Sequence, residues 1–592
     1  MGVFSENAII GASAAGGYDI DQSLRFNDGD SAYLSRTAGT ATSNDIGTLS
    51  FWAKRGEIGG GKSFFSNHSD ASNRTYVGFD ADTIQMYGKI SGSGNVELVT
   101  TQVFRDPSAW YHIVIAVDVT QATSTNRVKI YVNGSQITAF STATYPAQNT
   151  DLPLFSKTNH QVGAFFSSSV GDYYDGYLAE FHYIDGQALA PASFGETNSD
   201  TNQWVPVEYA GSYGTNGFYL KFGGEGFLTY DREAEIAVTS SFTWAFTSSG
   251  NTSGEDLVNG LLTNNDAGGG WMPAGNAADR WIKFDFVTGK VYKACQWISI
   301  NSTGSEGTWK WQGSNNDAAW TDIGGTFTLG GSDGGSNVTY NLGGTLNANT
   351  TSYRYYRILG ISGTVNTSGR RLAMYFSETV YGLGGDSSGQ GNNFSENNLS
   401  WSDQVIDTPS LNYCTMNPID SNGSIASSEG NLKVTTTSTD PRMNATFQIP
   451  STGKWYWEFL MQYSTSMMIG VIDQSRSGNA YEGNQSVLYS SGLGTKYNFS
   501  SVASYGATWT TGDLMGVAFN RDDNEITFYK NNSAQPTLTI GGTAAQRARL
   551  MPMIGTGTDG TGGGTFNFGQ DSSFAGAKTA QGNGDDGEDF YY

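Results

Sequence analysis

The sequence predicts an all-β protein: three serial β-sandwich or jelly-roll domains behind a short N-terminal anchor segment. Three observations carry that expectation. Almost no stretch places apolar residues at i, i+3, i+4 and i+7, so amphipathic helices are not expected. Short β-branched and aromatic runs bounded by Gly, Asn, Asp and Ser recur along the whole chain instead. Finally, 592 residues with 13% aromatic and only 15% charged side chains are too many for one small domain and too apolar for a disordered chain.

The elements follow in order. Residues 1–19 are small, Gly/Ala-rich and weakly apolar. They read either as a frayed terminus or as a peptide ordered only inside another protein, with Val3, Phe4, Ile9, Ile10 and Tyr18 as anchor candidates. They lack the basic start and continuous apolar core of a signal peptide, so export by that route is not expected. From about residue 20 to 222 come WYHIVIAVDV (110–119) and RVKIYVNGSQI (127–137), with Trp52, Trp110, Tyr131 and Phe181 expected between two sheets. Asn133-Gly134 suits a two-residue type I′ hairpin, which needs positive φ at both positions. Residues 223–384 change character, with RWIKFDF (280–286), WKWQGSNNDAAW and YRYYRILG. A Gly/Asn-rich stretch over 385–420 reads as a linker. Residues 421–592 hold WYWEFLMQY (455–463) and LMGVAFNRDDNEITFYK (514–530), then an acidic tail. In the second of these runs Gly516, Val517, Phe519, Ile526 and Phe528 are expected as core around a polar turn, Asn520 to Asn524.

Composition narrows the function. The 32 basic and 55 acidic side chains leave a net charge of −23, a field that repels phosphate backbones and anionic lipid, so nucleic acid and membrane surfaces are not expected partners. No apolar run reaches 18 residues, so membrane insertion by a helix is not expected. Cys295 and Cys414 form neither a disulfide framework nor a metal-ligand spacing.

Several segments resemble known families. SLRFNDGDSAYLSR, TLSFWAKRG and YDGYLAEFHYIDGQAL, with the runs at 110–137, resemble a laminin G-like, concanavalin-type sandwich. Relatives of that fold bind sugars or calcium through loops. Asp175 then reads either as a loop ligand or as a residue setting its own turn. Residues 223–384 resemble a discoidin, or coagulation-factor type C, domain. That likeness implies a calcium loop at Asp256, Asn259 and Thr263, although the inserted Gly268, Gly269 and Gly270 displace Trp271 from the family spacing. It also suggests sugar contacts at Trp271, Arg280, Trp309, Trp311 and Asn315, although each tryptophan reads first as core. Residues 421–578 resemble a SPRY domain, a binding module.

GSYGTNGFYLKFGG (211–224) and DSSGQGNNFSENNLSWSDQVIDTPSLNYCTMNP (386–418) resemble two halves of one passage found in structural proteins of tailed bacteriophages. The middle domain is therefore expected to be an insertion, and the chain a virion protein.

Catalytic parts are missing. There is no E-x-D-x-x-E run, G-x-S-x-G elbow, P-loop or H-E-x-x-H helix, and His68, His112, His160 and His182 are scattered. The expected function is a tail fibre or receptor-binding adhesin that grips host surface glycans without catalysis. The likeness further implies attachment to other virion proteins through the N-terminal segment and a homo-oligomer, as a trimer. No cofactor is expected, calcium being the one the type C likeness leaves open. A capsid head fibre and a tail-borne polysaccharide depolymerase are the alternatives.

Overall fold

The computed structural model describes residues 17–155, 159–223, 382–437, 441–464, 466–476, 485–499, 501–556, 561–581, 583 and 588–592. Between 224 and 381 it describes 237–240, 270–272, 275–278, 280–292, 294–300, 303–332, 338–341, 346, 349, 351–365 and 370–377. Strands dominate, as the period-two pattern requires, and the sheets described here are antiparallel throughout. No helix among the described residues is long and apolar enough to cross a membrane.

The first sandwich is two eight-stranded sheets. One runs in the order Ser135–Ile137, Val128–Val132, Trp110–Asp118, Ile46–Arg55, Gly176–Asp185, Ser23–Phe26 and Gln404–Val405, with Phe218–Leu220 also paired to Gly176–Asp185. The other runs Phe140–Thr144, Ser93–Val103, Thr83–Ile90, Asn73–Asp80, Gly61–Asp70, Asn159–Val162, Tyr33–Thr37 and Ser395–Asn397. Alternate residues point into the space between sheets, where Phe51, Phe64, Phe79, Ile115, Phe181 and Tyr183 are fully or almost fully buried and Phe51 stacks on Phe181 at 4.8 Å. The Asn133-Gly134 hairpin forms as expected, with φ of 47° and 77° between paired Val132 and Ser135.

Two expectations are corrected. Phe181 lies between the sheets, but Trp52, Trp110 and Tyr131 lie on the outer face of the first sheet, because Phe51, Ala53 and Ile130 take the inward positions of the same strands. The 385–420 stretch is also more than a linker. Ser395–Asn397 and Gln404–Val405 add an edge strand to each sheet, covering edges that would otherwise be open.

The chain divides into two compact units, 1–223 with 383–592, and 224–382. On leaving and re-entering the first unit it is clamped: Leu220 pairs with Asp386, whose carboxylate accepts from Tyr219 N (2.9 Å) and Asn392 N (2.7 Å).

In the second unit a five-stranded sheet (Ala237–Ser240, Trp281–Lys290, Tyr353–Ser362, Thr303–Ser314, Thr321–Ser332) accompanies a four-stranded one (Gly270–Met272, Arg370–Ser377, Ala294–Ile300, Val338–Asn341). Ile282, Phe284, Phe286, Trp309, Trp311, Tyr356 and Ile358 form the buried side of the former.

The last sandwich again has two sheets, centred on Met467–Asp473 with Leu550–Thr556 and on Lys454–Ser464 with Leu514–Asn520. Val517, Phe519, Ile526 and Phe528 are core as expected. Gly516 is not: it faces outward beneath Tyr456, where an added Cβ would meet the phenol oxygen at 2.5 Å.

Candidate functional site

The outer face of the first sheet gathers Ser50, His112, Glu180 and His182, side chains capable of acid–base or nucleophilic chemistry. Cross-strand register places them. Trp52 opposes His112 and Ser50 opposes His182, and a bulge between Ala179 and His182, with Glu180 at φ 49°, turns both Glu180 and His182 outward. Ser50 Oγ lies 2.9 Å from His112 Nε2, and Trp204 Nε1 donates to His112 Nδ1 at 2.9 Å. His182 Nδ1 is 2.9 Å from the Tyr213 hydroxyl, and its ring stacks on Tyr219 at 4.3 Å. The Glu180 carboxylate accepts from Tyr18 (3.1 Å) and Tyr219 (2.5 Å).

These contacts disqualify the obvious chemistry. Trp Nε1–H only donates, so His112 Nδ1 must be the acceptor and Nε2 must carry the proton. The imidazole then donates to Ser50 instead of taking its proton, the reverse of a nucleophile–base pair. Burial, reinforced by His182, pushes His112 down to about 3 and keeps it neutral. A glycosidase needs two carboxylates about 5–9 Å apart across a substrate. Glu180 stands as a lone acid among these residues, its oxygens already used, and the crevice bounded by Ser50, Trp52, His112, Glu180, His182 and Phe194 has no room for a water molecule.

Further along the same face the filling comes from the rest of the unit. Lys54, fully buried, donates to Asp407 (2.7 Å), Asn412 Oδ1 (2.8 Å) and the Tyr413 carbonyl (2.8 Å). Burial pushes the Asp407 carboxyl upward, opposed by Lys54 and by the Trp110 and Tyr413 donors. Arg25 lies among Asp571 (2.9 Å), Asp403 (3.4 Å) and Glu429 (3.5 Å), and the Tyr177 hydroxyl donates to the Gly430 carbonyl at 2.7 Å. The DTPSLNYC run thus supplies the counter-charge of the first sandwich and joins it to the last. Asp175, expected at a turn, is buried behind Gly56 and pushed by that burial up to about 8.

The other candidates disperse. Trp309 and Trp311 are fully buried, so neither meets a sugar; strand parity turns both toward the core. Asn315 stitches its own turn, donating to Ser352 O (3.0 Å) and accepting from Arg354 N (2.8 Å). Trp271 lies on the four-stranded sheet, apart from the strand of Trp309 and Trp311. Arg280 precedes the strand Trp281–Lys290 and uses its carbonyl to accept from Gly360 N. Tyr18 is no free anchor, since its hydroxyl is committed to Glu180 and Tyr219. Val3, Phe4, Ile9, Ile10, Asp256, Asn259 and Thr263 lie outside the described residues. Among the described residues no group of three His, Cys, Asp or Glu could hold a metal ion.

The last sandwich carries a depression lined by Lys454, Asn520, Glu525, Thr527, Tyr529 and Thr537. At about 180 Å³ it falls below the roughly 300 Å³ at which ligand pockets begin. Sequence reasoning treated His112 and His182 singly and passed over Glu180, Lys54 and Asp407. The available signal is that Ser50, Trp52 and Lys54 alternate on one strand face, with polar side chains on either side of the tryptophan.

Comparison with known proteins agrees with two of these modules. Residues 27–193 match the model of the concanavalin A-like lectin/glucanases superfamily, and residues 454–571 match the SPRY domain model. The chain therefore contains a laminin G/concanavalin-like domain and a SPRY domain. Among solved structures, the SPRY domain of human HERC1 is similar at 15% identity, covering 26% of this chain and 96% of that one, with a TM-score of 0.23. Stonustoxin is similar at 17% identity, covering 26% of each chain, with a TM-score of 0.22. No curated protein matches.

Proposed function

We propose that this chain is a non-catalytic adhesion protein of a tailed-bacteriophage virion, a tail fibre or similar appendage that grips host surface glycans. The observation that carries this reading is the filled outer face of the first sandwich. Glu180 is hydrogen-bonded internally, His112 holds the wrong tautomer for a base, and Lys54 and Arg25 are neutralised by the chain's own carboxylates. Chemistry needs a cleft and a mobile proton, whereas adhesion needs stiffness and exposed grips. Buried ion pairs spanning residues 25–571 supply the stiffness.

In this reading the inserted unit is a discoidin-like jelly roll. Residues before Tyr18 attach to other virion proteins, and a homotrimer multiplies weak contacts by raising effective concentration. Adsorption of virions lacking the protein tests the proposal: slower adsorption is expected, and an unchanged rate overturns it. Incubation with host polysaccharide and a reducing-end assay is expected to give a flat trace, while released ends would mean a depolymerase.

A further inference from the structure

The outer face of the five-stranded sheet in the inserted unit has a different fate. Three adjacent strands send Trp281, Lys283 and Asp285, then Tyr355 and Arg357, then Lys310 and Gln312 to the side opposite the buried tryptophans. Lys283 pairs in register with Arg357, and Arg357 with Gln312. Arg357 Nε donates to Gln312 Oε1 at 2.8 Å, and its guanidinium lies 4.1 Å from the ring centre of the partly exposed Trp320. Lys283 Nζ sits 5.9 Å from the Trp281 ring centre and 5.7 Å from that of Tyr355.

The charges on this face do not cancel. Lys283 is paired with Asp317, Lys310 with Asp322 and Arg354 with Asp285; Asp317 and Asp322 also act on Arg357 from a distance, but among the described residues no carboxylate forms an ion pair with it and neither of its Nη groups is hydrogen-bonded. A partly exposed guanidinium braced by one amide and one indole is pre-organised to take a carboxylate through two parallel hydrogen bonds. Partly exposed aromatic rings beside it offer apolar surface of the kind sugar rings cover.

We propose that this face is a binding platform for an acidic polysaccharide, with Arg357 holding a sugar carboxylate while Trp281 and Tyr355 contact the faces of neighbouring rings. The inference rests on the adhesion reading for the expectation that the ligand is a glycan. Its location and charge preference come from the face itself. A denser polyanion fits poorly, because three aspartates share the surface and the chain carries −23 overall.

Affinity electrophoresis of the full-length protein through gels containing polygalacturonate or neutral dextran tests it. Retardation is expected with polygalacturonate only, weakened at least tenfold by Arg357→Gln and by Tyr355→Ala, with melting temperatures near that of the parent. No retardation by polygalacturonate, equal retardation by dextran, or retention unchanged in both variants would overturn the platform. Binding of the same proteins to host cells separates the two proposals. If the parent and both variants bind cells equally, the platform falls and adhesion stands. If none binds cells while gel retention still depends on Arg357, adhesion falls and the platform stands.

Discussion

Two sheet faces in this molecule start from the same sequence pattern and end differently. On the first sandwich, Ser50, Trp52 and Lys54 alternate outward with His112 and Glu180 beside them. On the inserted unit, Trp281, Lys283 and Asp285 alternate outward beside Tyr355 and Arg357. The former is covered by the chain's own Tyr18, Trp204, Asp407 and Tyr413, and every polar group named on it has found an internal partner. The latter keeps partial exposure and one unpaired guanidinium. A polar, aromatic strand face is therefore ambiguous, and only what lies over it separates a structural seam from a binding surface.

The largest expected effect is on the covered face. Asp407→Ala strands the buried Lys54 ammonium and should cost about 3–5 kcal/mol in chemical denaturation of the full chain. Lys54→Met combined with Asp407→Leu should recover much of that, because the penalty lies in the unpaired charge. Recovery by the pair sharpens the contrast with Arg357, whose loss should touch binding and leave stability near the parent's.

Within one sheet of the inserted unit the two sides can be set against each other. Trp309→Ala or Trp311→Ala should cost about 3–5 kcal/mol. Tyr355→Ala, on the outer side, should stay within roughly 1 kcal/mol in the same denaturation experiment. Equal losses on both sides would mean that the outer face is also a seam.

The covered region should also carry opposite pH signatures. Asp175 is raised by burial from 3.8 to about 8, so the folded state holds a proton that the unfolded chain releases. Its contribution is complete below about pH 4 and is lost as pH rises toward 8. His112 is lowered from 6.5 to about 3, so its contribution is present above 6.5 and is lost as pH falls toward 3. Urea titrations at stepped pH should show the alkaline slope flattened by Asp175→Asn and the acid slope flattened by His112→Gln.

The smallest effect is local. Asn133→Ala puts at φ 47° a residue that tolerates the left-handed region less well than Asn and removes the acceptor for His112 N (2.8 Å), for about 1–2 kcal/mol by thermal or chemical denaturation.

Much of the architecture was legible. The hairpin at Asn133-Gly134 and the cores around Phe181, Val517 and Phe528 follow from turn chemistry and alternation, both of which act over a few neighbouring residues. The errors share one cause. Trp52, Trp110 and Tyr131 were assigned between the sheets because size and apolarity suit burial, yet one residue of strand parity puts them on the other side, buried under a second layer. For Trp309 and Trp311, two apart on one strand face, the same parity favours core over sugar contact, and both are fully buried. No local signal reveals that Lys54 meets Asp407, 353 residues away, or that Arg25 meets Asp571.

By itself, then, the order of residues determined the all-β character, the hairpins and the absence of familiar catalytic motifs, since these depend on backbone preferences and spacings within a strand or turn. The tertiary structure alone decided which polar faces were to be sealed and which left open. Whether Glu180 is a base or a hydrogen-bond acceptor, and whether a guanidinium is a brace or a grip, depends on which distant segment is brought within 3 Å to neutralise it.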